Sequence, residues 1–513
     1  MKSQWLIRLR SPMLMLFVAP LAMPCTAQNG LPAGANPEDA RYSQLSAKLD
    51  QVLTALDDTR RELAESRQQM HALELRVQAL NTRPNKDEAG SPSASDNGGA
   101  ADMQAAVHQL EETTGLIQSE VKQHDQIKVE SSSKYPIKIS GMLLSSTNLN
   151  DGAVDNVDLP LVALPRTGAV ANGSLATTWR QTLLGLDARG PTLWGARSAA
   201  DVHADFFGGQ PTGGYGTNGG TVRLRTAHAY LDWPRSRLIV SLDAPLISPL
   251  APTSYLTVAA PALAWSGNLW SWSPQLEFKH SIVTSEKGNF GMQVGLIDPG
   301  GASYFNQTLR QANPSESSRQ PGYETRLSYS IGSGDHPLTI GAGGYYARQK
   351  YPYPQNIDSW AGTADWKLPL SRVFELSGEL YRGRALGDLG GGAFKDYVPY
   401  GGGKEVLGLD DEGGWTQLKA KLSTSLELNT AIGQDSAFAN QVRKGIGFGT
   451  TTPNSNTTPY SNLTANRTLL ENVIFRPRPY LLFSLEYRKI TSWQVAPPTD
   501  HSQTVGLAIG YLY

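Results

Sequence analysis

Two periodicities of apolar residues divide the chain. Between Tyr42 and Leu80 apolar residues recur at alternating spacings of three and four, whereas from Tyr135 to the C-terminus apolar and polar residues alternate. The first pattern is typical of a coiled-coil helix, and the second of strands with one apolar and one polar face. The change of period predicts a helical N-terminal part followed by an all-β part.

The coiled-coil pattern persists for more than five heptads. Its core positions are Tyr42, Leu45, Leu49, Val52, Leu56, Thr59, Leu63, Ser66, Met70, Leu73, Val77 and Leu80. All except Thr59 and Ser66 are apolar or aromatic, and charged residues lie between them. We therefore predict a coiled coil within residues 28–80. The alternative is a single amphipathic helix that packs on another domain.

The N-terminus resembles a secretory signal. Its positive residues are Lys2, Arg8 and Arg10, a short apolar run covers 13–19, and small residues end at Ala27. We predict a signal peptide over residues 1–27, which places the coiled coil in the periplasm. A lipoprotein would instead be lipidated at Cys25, although Pro24 stands where such a site has a small residue. Because Cys25 is the only cysteine, the mature chain would contain no disulfide and no cysteine nucleophile.

Composition separates three further segments. Residues 81–101 are rich in Pro, Ser, Gly, Asn and Asp, which predicts a flexible linker, and a short helical segment is expected over 102–130. No later stretch has the roughly 18 continuous apolar residues of a membrane helix. If residues 135–513 lie in a membrane, they must form a closed barrel, because every backbone polar group in lipid needs a partner.

Strand and connection lengths favour such a barrel over a soluble β-sandwich. Several alternating segments have ten or more residues, and the clearest covers 415–428. Long connections alternate with short turns, as in outer-membrane barrels. Long ones are expected near 149–178, 208–220, 244–272, 299–320, 351–357, 385–413, 449–468 and 493–501, and short ones near 190–191, 234–236, 286–288, 332–334, 369, 429 and 477–479. These counts predict an all-β transmembrane antiparallel barrel of about sixteen strands, with both ends in the periplasm.

Aromatic residues support a membrane position. Alternation over 504–513 ends at Tyr513, which resembles the C-terminal assembly signal of outer-membrane barrels, although that signal usually ends in Phe. Other rings at segment ends would form girdles at the two interfaces, or else pack in the core or in loops. These are Tyr230, Trp233, Trp270, Trp272, Tyr345, Tyr346, Tyr351, Trp360, Trp366 and Trp493.

The sequence gives no positive indication of catalysis. Residues 214–219 match GxGxxG, but they fall between strands and lack the helix that a dinucleotide site requires. No hydrolase or nucleotide-binding motif occurs, and the eight histidines have no metal-ligand spacing. We therefore expect no enzyme activity, no cofactor and no metal. The formal net charge of −1 does not indicate nucleic-acid binding.

The polar strand faces would form the wall of a pore. The pore-lining candidates are Arg223, Arg225, Arg326, Lys419, Lys421, Asp201, His203, Asp205, Glu375 and Glu379. Arg223 and Arg225 share a strand face, as do Lys419 and Lys421, so either pair could form part of an anion ladder. Wall carboxylates could equally neutralise them. His203, between two aspartates, could be an acid–base group but fits a solvated wall cluster better.

The third long connection, 244–272, is rich in Pro and Ala and contains several aromatic rings. It is too apolar for an exposed loop of this length. Folding into the lumen as a constriction would bury it, and a contact between subunits would do the same.

Three stretches resemble the DcaP-type trimeric porins of the outer membrane. They are 135–141 (YPIKISG), 203–209 (HADFFGG) and 223–233 (RLRTAHAYLDW). The resemblance implies a sixteen-stranded barrel, trimers, and uptake of small, often anionic, organic solutes. Where that family commonly shows a Gly-Gln-Thr-Trp-like run after the fifth strand, this chain has Leu242-Asp243-Ala244-Pro245.

Together these patterns predict an outer-membrane porin for small hydrophilic solutes. Its expected partners are outer-membrane lipid, the solutes, and two further copies joined through coiled coil and barrel. The alternative is a structural anchor whose coiled coil tethers the barrel to the periplasm or peptidoglycan. A barrel hydrolase is a third reading, which the missing catalytic motifs disfavour.

Overall fold

A computed structural model of the chain describes residues 136–166, 172–209, 220–300, 312–332, 337–400, 404–445, 460, 462–495 and 499–513. The predicted signal peptide, coiled coil, linker and short helical segment lie outside these residues. No helix within the described ranges is long and apolar enough to cross a membrane.

Sixteen strands make up the main sheet. They are β1 (Ile137–Asp151), β2 (Ser174–Thr178 and Leu183–Leu193), β3 (Ala196–Asp205), β4 (Arg223–Asp232), β5 (Ser236–Asp243), β6 (Ser273–Val283), β7 (Gly288–Ile297), β8 (Gly322–Ile331), β9 (Leu338–Lys350), β10 (Asn356–Pro369), β11 (Phe374–Arg384), β12 (Asp410–Lys421), β13 (Leu426–Ala437), β14 (Leu463–Arg478), β15 (Leu481–Gln494) and β16 (Asp500–Leu512). The two parts of β2 pair with successive parts of β1, so they count as one strand with a break at 179–182.

The sheet closes on itself. Each strand runs antiparallel to the next, and β1 pairs with β16 in a register that sets Leu143 opposite Tyr511 and Leu149 opposite Val505. Closure leaves the sheet without an edge, because every strand has two hydrogen-bonded neighbours. The predicted sixteen-stranded antiparallel barrel is confirmed.

Side chains alternate between an outer and an inner face. On β14, Val473 and Phe475 point outward and are 42% and 44% exposed, whereas Leu470 and Ile474 point inward and are fully buried. Outward Leu485, Leu507 and Ile509 continue the exposed apolar surface on β15 and β16. Leu470 is buried because Ala262 and Leu263, from the connection 244–272, pack beside it in the lumen.

Some expected boundaries are wrong. The segment 415–428 is two strands, since β12 ends at Lys421 and β13 begins at Leu426; Asn429, expected at a turn, lies inside β13. Turn residues 422–425 continue the two-residue alternation, which hid the break. The turn expected at 190–191 lies at Trp194 and Gly195 instead, since β2 continues past Pro191 across a register shift.

Connections at one end of the barrel are long and fold back over it. Short two-stranded hairpins form inside two of them, Ala153–Val154 with Ala163–Leu164 and Tyr397–Tyr400 with Glu405–Gly408. Two short helices lie in others, α1 (Pro314–Ser318) and α2 (Ala439–Val442). Residues 244–272, which we name the inner loop, leave β5, enter the lumen and return to β6.

Gly267 fits the inner loop against the wall. It has a φ of +94°, and a Cβ there would overlap the carbonyl oxygens of Gly414 on β12 and Gln434 on β13. Only glycine permits both this backbone conformation and this close approach.

We expect Gly267→Ala to destabilise the barrel by about 1–3 kcal/mol, the usual range for overpacking. Urea unfolding in detergent micelles, followed by tryptophan fluorescence, would measure the change. Gly362→Ala is the control, because its Cβ would meet no atom within 4 Å. Equal stability of the two variants would show that the inner loop is not held at this point.

Candidate pore constriction

The inner loop makes a circuit of the lumen wall, and its first part is bound by wall carboxylates. The main-chain amide of Leu246 donates to Glu324 on β8 at 3.3 Å. Further on, Ser248 Oγ and the amide of Leu250 both donate to Glu379 on β11, at 2.5 and 2.7 Å. Acidic side chains of the wall thus supply acceptors for a loop that has no secondary structure of its own there.

The loop then continues past the strands on the other side of the barrel. The main-chain amide of Thr253 donates to the side chain of Gln417 on β12 at 2.6 Å. The carbonyl of Thr253 accepts from the side chain of Asn472 on β14 at 2.8 Å. Ser254 Oγ donates to Glu486 on β15 at 2.6 Å. Beyond it, Gln181, at the break in β2, donates to Leu256 O and accepts from Ala259 N.

The circuit ends at a cluster of arginines and aromatic rings. Arg223 forms two hydrogen bonds to buried Asp205, at 3.0 and 2.6 Å, and a third to the carbonyl of Ala259 at 2.8 Å. The guanidinium groups of Arg223 and Arg225 lie 4.6 and 4.9 Å from the ring centre of Trp272. The end of the inner loop therefore packs against the two arginines predicted to line the pore.

Arg225 differs from Arg223 in its bonding. The pairing of β3 with β4 shifts register between His203 and Ala204, so that Arg225 is the extra residue of a bulge. Its Nη1 is buried and has no hydrogen-bond partner among the described residues. Arg223 is neutralised by Asp205, whereas Arg225 contributes a charge without a bonded carboxylate.

Beside this cluster a histidine bridges two aspartates. His228 Nδ1 is 2.7 Å from Asp201, and its Nε2 is 2.9 Å from Asp243, the last residue before the inner loop. Ionised carboxylates only accept hydrogen bonds, so both ring nitrogens must donate, which requires the imidazolium form. His203 lies 3.5 Å from the same Asp201 and 3.3 Å from Thr226. His203 therefore belongs to the same polar group of the wall, and its interpretation as a solvated wall residue stays a prediction.

The remaining candidates lie on other parts of the inner face. Arg326 makes a bidentate pair with buried Asp365 at 2.9 and 2.6 Å. Lys419 lies 3.6 Å from Glu427, and Glu375 lies 3.7 Å from Lys367. A cavity of about 250 Å³ at the short-turn end of the barrel is lined by Glu375, Lys419 and Lys421, among others.

Loops also cover the other end of the lumen. The rings of Trp265, Phe394 and Tyr460 are stacked at 4.4 and 4.2 Å, which joins the inner loop to the connections 385–409 and 438–462. Lys395 Nζ donates to the carbonyls of Ala393, Tyr460 and Leu463 at 2.6, 3.0 and 2.6 Å. Burial lowers the pKa of Lys395 to about 7, since the charged form loses its hydration.

The structure brings only some of the predicted residues together. Asp201, His203, Asp205, Arg223 and Arg225 form one cluster, whereas Glu379 is buried beneath the inner loop and serves as its anchor. Arg326, Lys419, Lys421 and Glu375 lie apart from this cluster.

Sequence reasoning missed His228 and Asp365, although their polar positions on alternating strands were a usable signal. Trp270, Trp272, Tyr345 and Tyr351, expected as possible girdle rings, pack inside or beneath loops; Trp272 is part of the cluster.

We expect Asp205→Asn to destabilise the barrel by about 2–5 kcal/mol, because it leaves Arg223 without its ionic partner beside the inner loop. The matched control is Asp232→Asn, whose partner Arg237 is half exposed, so that its loss should cost less than about 1 kcal/mol. Urea unfolding in micelles compares the two. A larger loss for Asp232→Asn would contradict the assignment of Asp205 as the structural carboxylate.

Comparison with known proteins is informative at the level of structure. No protein-family model matches the chain, and no curated protein matches it significantly. The crystal structure of the outer-membrane channel DcaP of Acinetobacter baumannii superimposes with a TM-score of 0.54, at 14% identity over 74% of this chain and 99% of that one. An anion-selective porin from Comamonas acidovorans aligns over 74% of this chain and 100% of its own, with 10% identity and a TM-score of 0.45. OprB of Pseudomonas putida aligns over 74% of this chain and 94% of its own, also with 10% identity and a TM-score of 0.45. The resemblance to DcaP-type porins expected from the sequence is confirmed for the fold.

Proposed function

We propose that this protein is a porin, a passive diffusion channel of the bacterial outer membrane. The observation that carries the proposal is the inner loop, which is hydrogen-bonded around the wall of a closed sixteen-stranded barrel. Such a loop narrows a lumen while keeping its own backbone paired. The apolar outer face and the fold shared with DcaP support placement in a membrane.

Solutes would be selected by size and by charge at the inner loop. Arg225 is the arginine of the cluster without a bonded carboxylate, since Arg223 is bound to Asp205 and, elsewhere on the wall, Arg326 is bound to Asp365. A guanidinium without a bonded carboxylate beside a constriction favours small anions over cations, because a narrow lumen focuses its potential. We therefore propose small hydrophilic solutes, including organic anions, as the cargo. Of the other pore-lining candidates, Arg223, Arg326, Lys419 and Glu375 lie in ion pairs, and Glu379 is bound to the inner loop.

The wider assembly follows the sequence patterns. We propose that residues 1–27 are an export signal, that 28–80 form a periplasmic coiled coil, and that copies associate as trimers. The coiled coil and the barrel would both contribute contacts. The trimeric state is what the resemblance to DcaP-type porins implies, and the heptads of residues 42–80 are compatible with it.

A structural anchor remains the second candidate. The observation that favours an anchor is an aromatic stack over one end of the lumen. It consists of Trp265, Phe394 and Tyr460 and joins three connections across the barrel. An anchor would need the coiled coil for its role, whereas a channel would not.

Purified protein in planar bilayers should give discrete conductance steps, because each inserted barrel opens one water-filled path. Protein that inserts and remains silent under all voltages would overturn the channel and favour the anchor.

We expect Arg225→Gln to lower the ratio of anion to cation permeability by at least roughly two-fold, since one charge at about 8 Å in water contributes about 0.5 kcal/mol. Reversal potentials across a salt gradient measure the ratio. Arg382→Gln is the control, because Arg382 points outward and pairs with Glu412. An equal shift in both variants would count against a selective role for Arg225.

Deleting residues 42–128 should leave single-channel conductance unchanged, because the barrel begins at Ile137. Bilayer recording of the truncated and full chains makes the comparison. Loss of conductance in a truncated protein that still folds and inserts would show that the N-terminal part belongs to the channel.

A further inference from the structure

A charged bridge lies at the point where the inner loop leaves the wall. His228 on β4 connects Asp201 on β3 with Asp243, the last residue of β5, at 2.7 and 2.9 Å. The side-chain amide of Gln275 on β6 donates to the carbonyls of Asp243 and Ala244, at 2.7 and 2.9 Å. We name His228, Asp201 and Asp243 the histidine bridge. It bonds the root of the inner loop to the neighbouring strands.

The histidine bridge is in contact with water on the inner face of the wall. The side chains of His228 and Asp243 are 23% and 41% exposed. The inner loop itself contains no Asp, Glu, Lys, Arg or His. The charge that a solute meets near the root of the loop is therefore set by residues of the wall.

These wall charges balance only when His228 is charged. Among the described residues, the ionisable groups around the bridge are Asp201, His203 and Asp205 on β3, Arg223 and Arg225 on β4, Asp243 on β5, and Glu277 and Lys279 on β6. Apart from His203, the acidic and basic members are equal in number when both ring nitrogens of His228 carry a proton. Loss of that proton leaves an excess of negative charge beside Arg225.

We propose that His228 sets the charge preference of the constriction and makes this preference depend on pH. The imidazolium form offsets one of its two aspartates, so that the guanidinium of Arg225 can attract small anions. The neutral form can donate only one hydrogen bond, and the wall around the loop root then favours cations. His228 acts through Asp201 and Asp243, so it is a positioning residue. The inference rests on the channel proposed above.

Reversal potentials across a salt gradient, measured from about pH 6 to about pH 10, test the proposal. The ratio of anion to cation permeability of the full chain should fall at least roughly two-fold over this range, the effect of one charge at about 8 Å in water. His228→Gln should keep the low ratio at every pH, and His228→Lys the high one. Groups elsewhere, such as Lys395, titrate in all variants alike, so the comparison isolates His228.

Two further histidine variants serve as control and as counter-test. His280→Gln should retain the pH dependence of the full chain, because His280 bonds to Ser236 at 2.8 Å and stacks on the outward ring of Phe278. His203→Gln distinguishes the two histidines near Asp201. A pH dependence that is lost in His203→Gln and persists in His228→Gln overturns the proposal, as does a ratio that does not change with pH in the full chain.

The sign of the effect can also be tested at the carboxylate. Heat-modifiable mobility on gels shows which variants fold, and Asp243→Asn is the substitute where His228→Gln does not. Removing this negative charge should raise the ratio of anion to cation permeability at neutral pH, opposite to the effect of His228→Gln. A lowered or unchanged ratio in folded Asp243→Asn contradicts the proposal.

Urea unfolding in micelles separates the histidine bridge from the channel. Between about pH 6 and about pH 10 the full chain should lose more stability than His228→Gln, because the imidazolium binds the two carboxylates only in the folded barrel. Barrels that show this difference but never conduct contradict the channel, and with it the selective role of His228. Barrels that conduct without a pH-dependent difference between the two chains contradict the role of His228 and leave the channel intact.

Discussion

The structure depends on one constraint: backbone polar groups that are shielded from water must find partners inside the protein. Closure between β1 and β16 satisfies this for the wall, because every strand then has two neighbours. The inner loop faces the same demand without a strand partner, and it meets the demand through side chains. Glu379, Glu324 and Gln417 supply acceptors to its amides. Wall residues that looked like free pore charges are therefore partly committed to holding the loop.

Periodicity made the barrel predictable, because two-residue alternation reports directly which faces meet apolar and polar surroundings. Strand number also followed from the sequence, whereas residues 244–272 were predicted to be buried either in the lumen or against another subunit. The turn after Lys421 did not, since Leu422, Ser423, Thr424 and Ser425 maintain the alternation through it. A turn formed by such residues cannot be recognised from the alternation of apolar and polar positions.

The site was predictable as a set of positions but not as a set of partners. Alternation placed Asp201, His203, Asp205, Arg223 and Arg225 on one inner face; in the structure they lie in one cluster, with Arg225 in a bulge that interrupts the alternation. Which charges stay available depends on register and on contacts distant in sequence. The bulge at Arg225 and its packing on Trp272 decide this, and neither can be read from the local sequence.

The inner loop starts and ends on adjacent strands, β5 and β6, yet it contacts strands all around the barrel. The diameter of the inner loop is therefore set by the circumference of the barrel wall to which it is bonded. Moving one side of the loop would strain its bonds on the opposite side. The aperture of this barrel should consequently be adjusted by the size of inward side chains, with the loop backbone remaining in place.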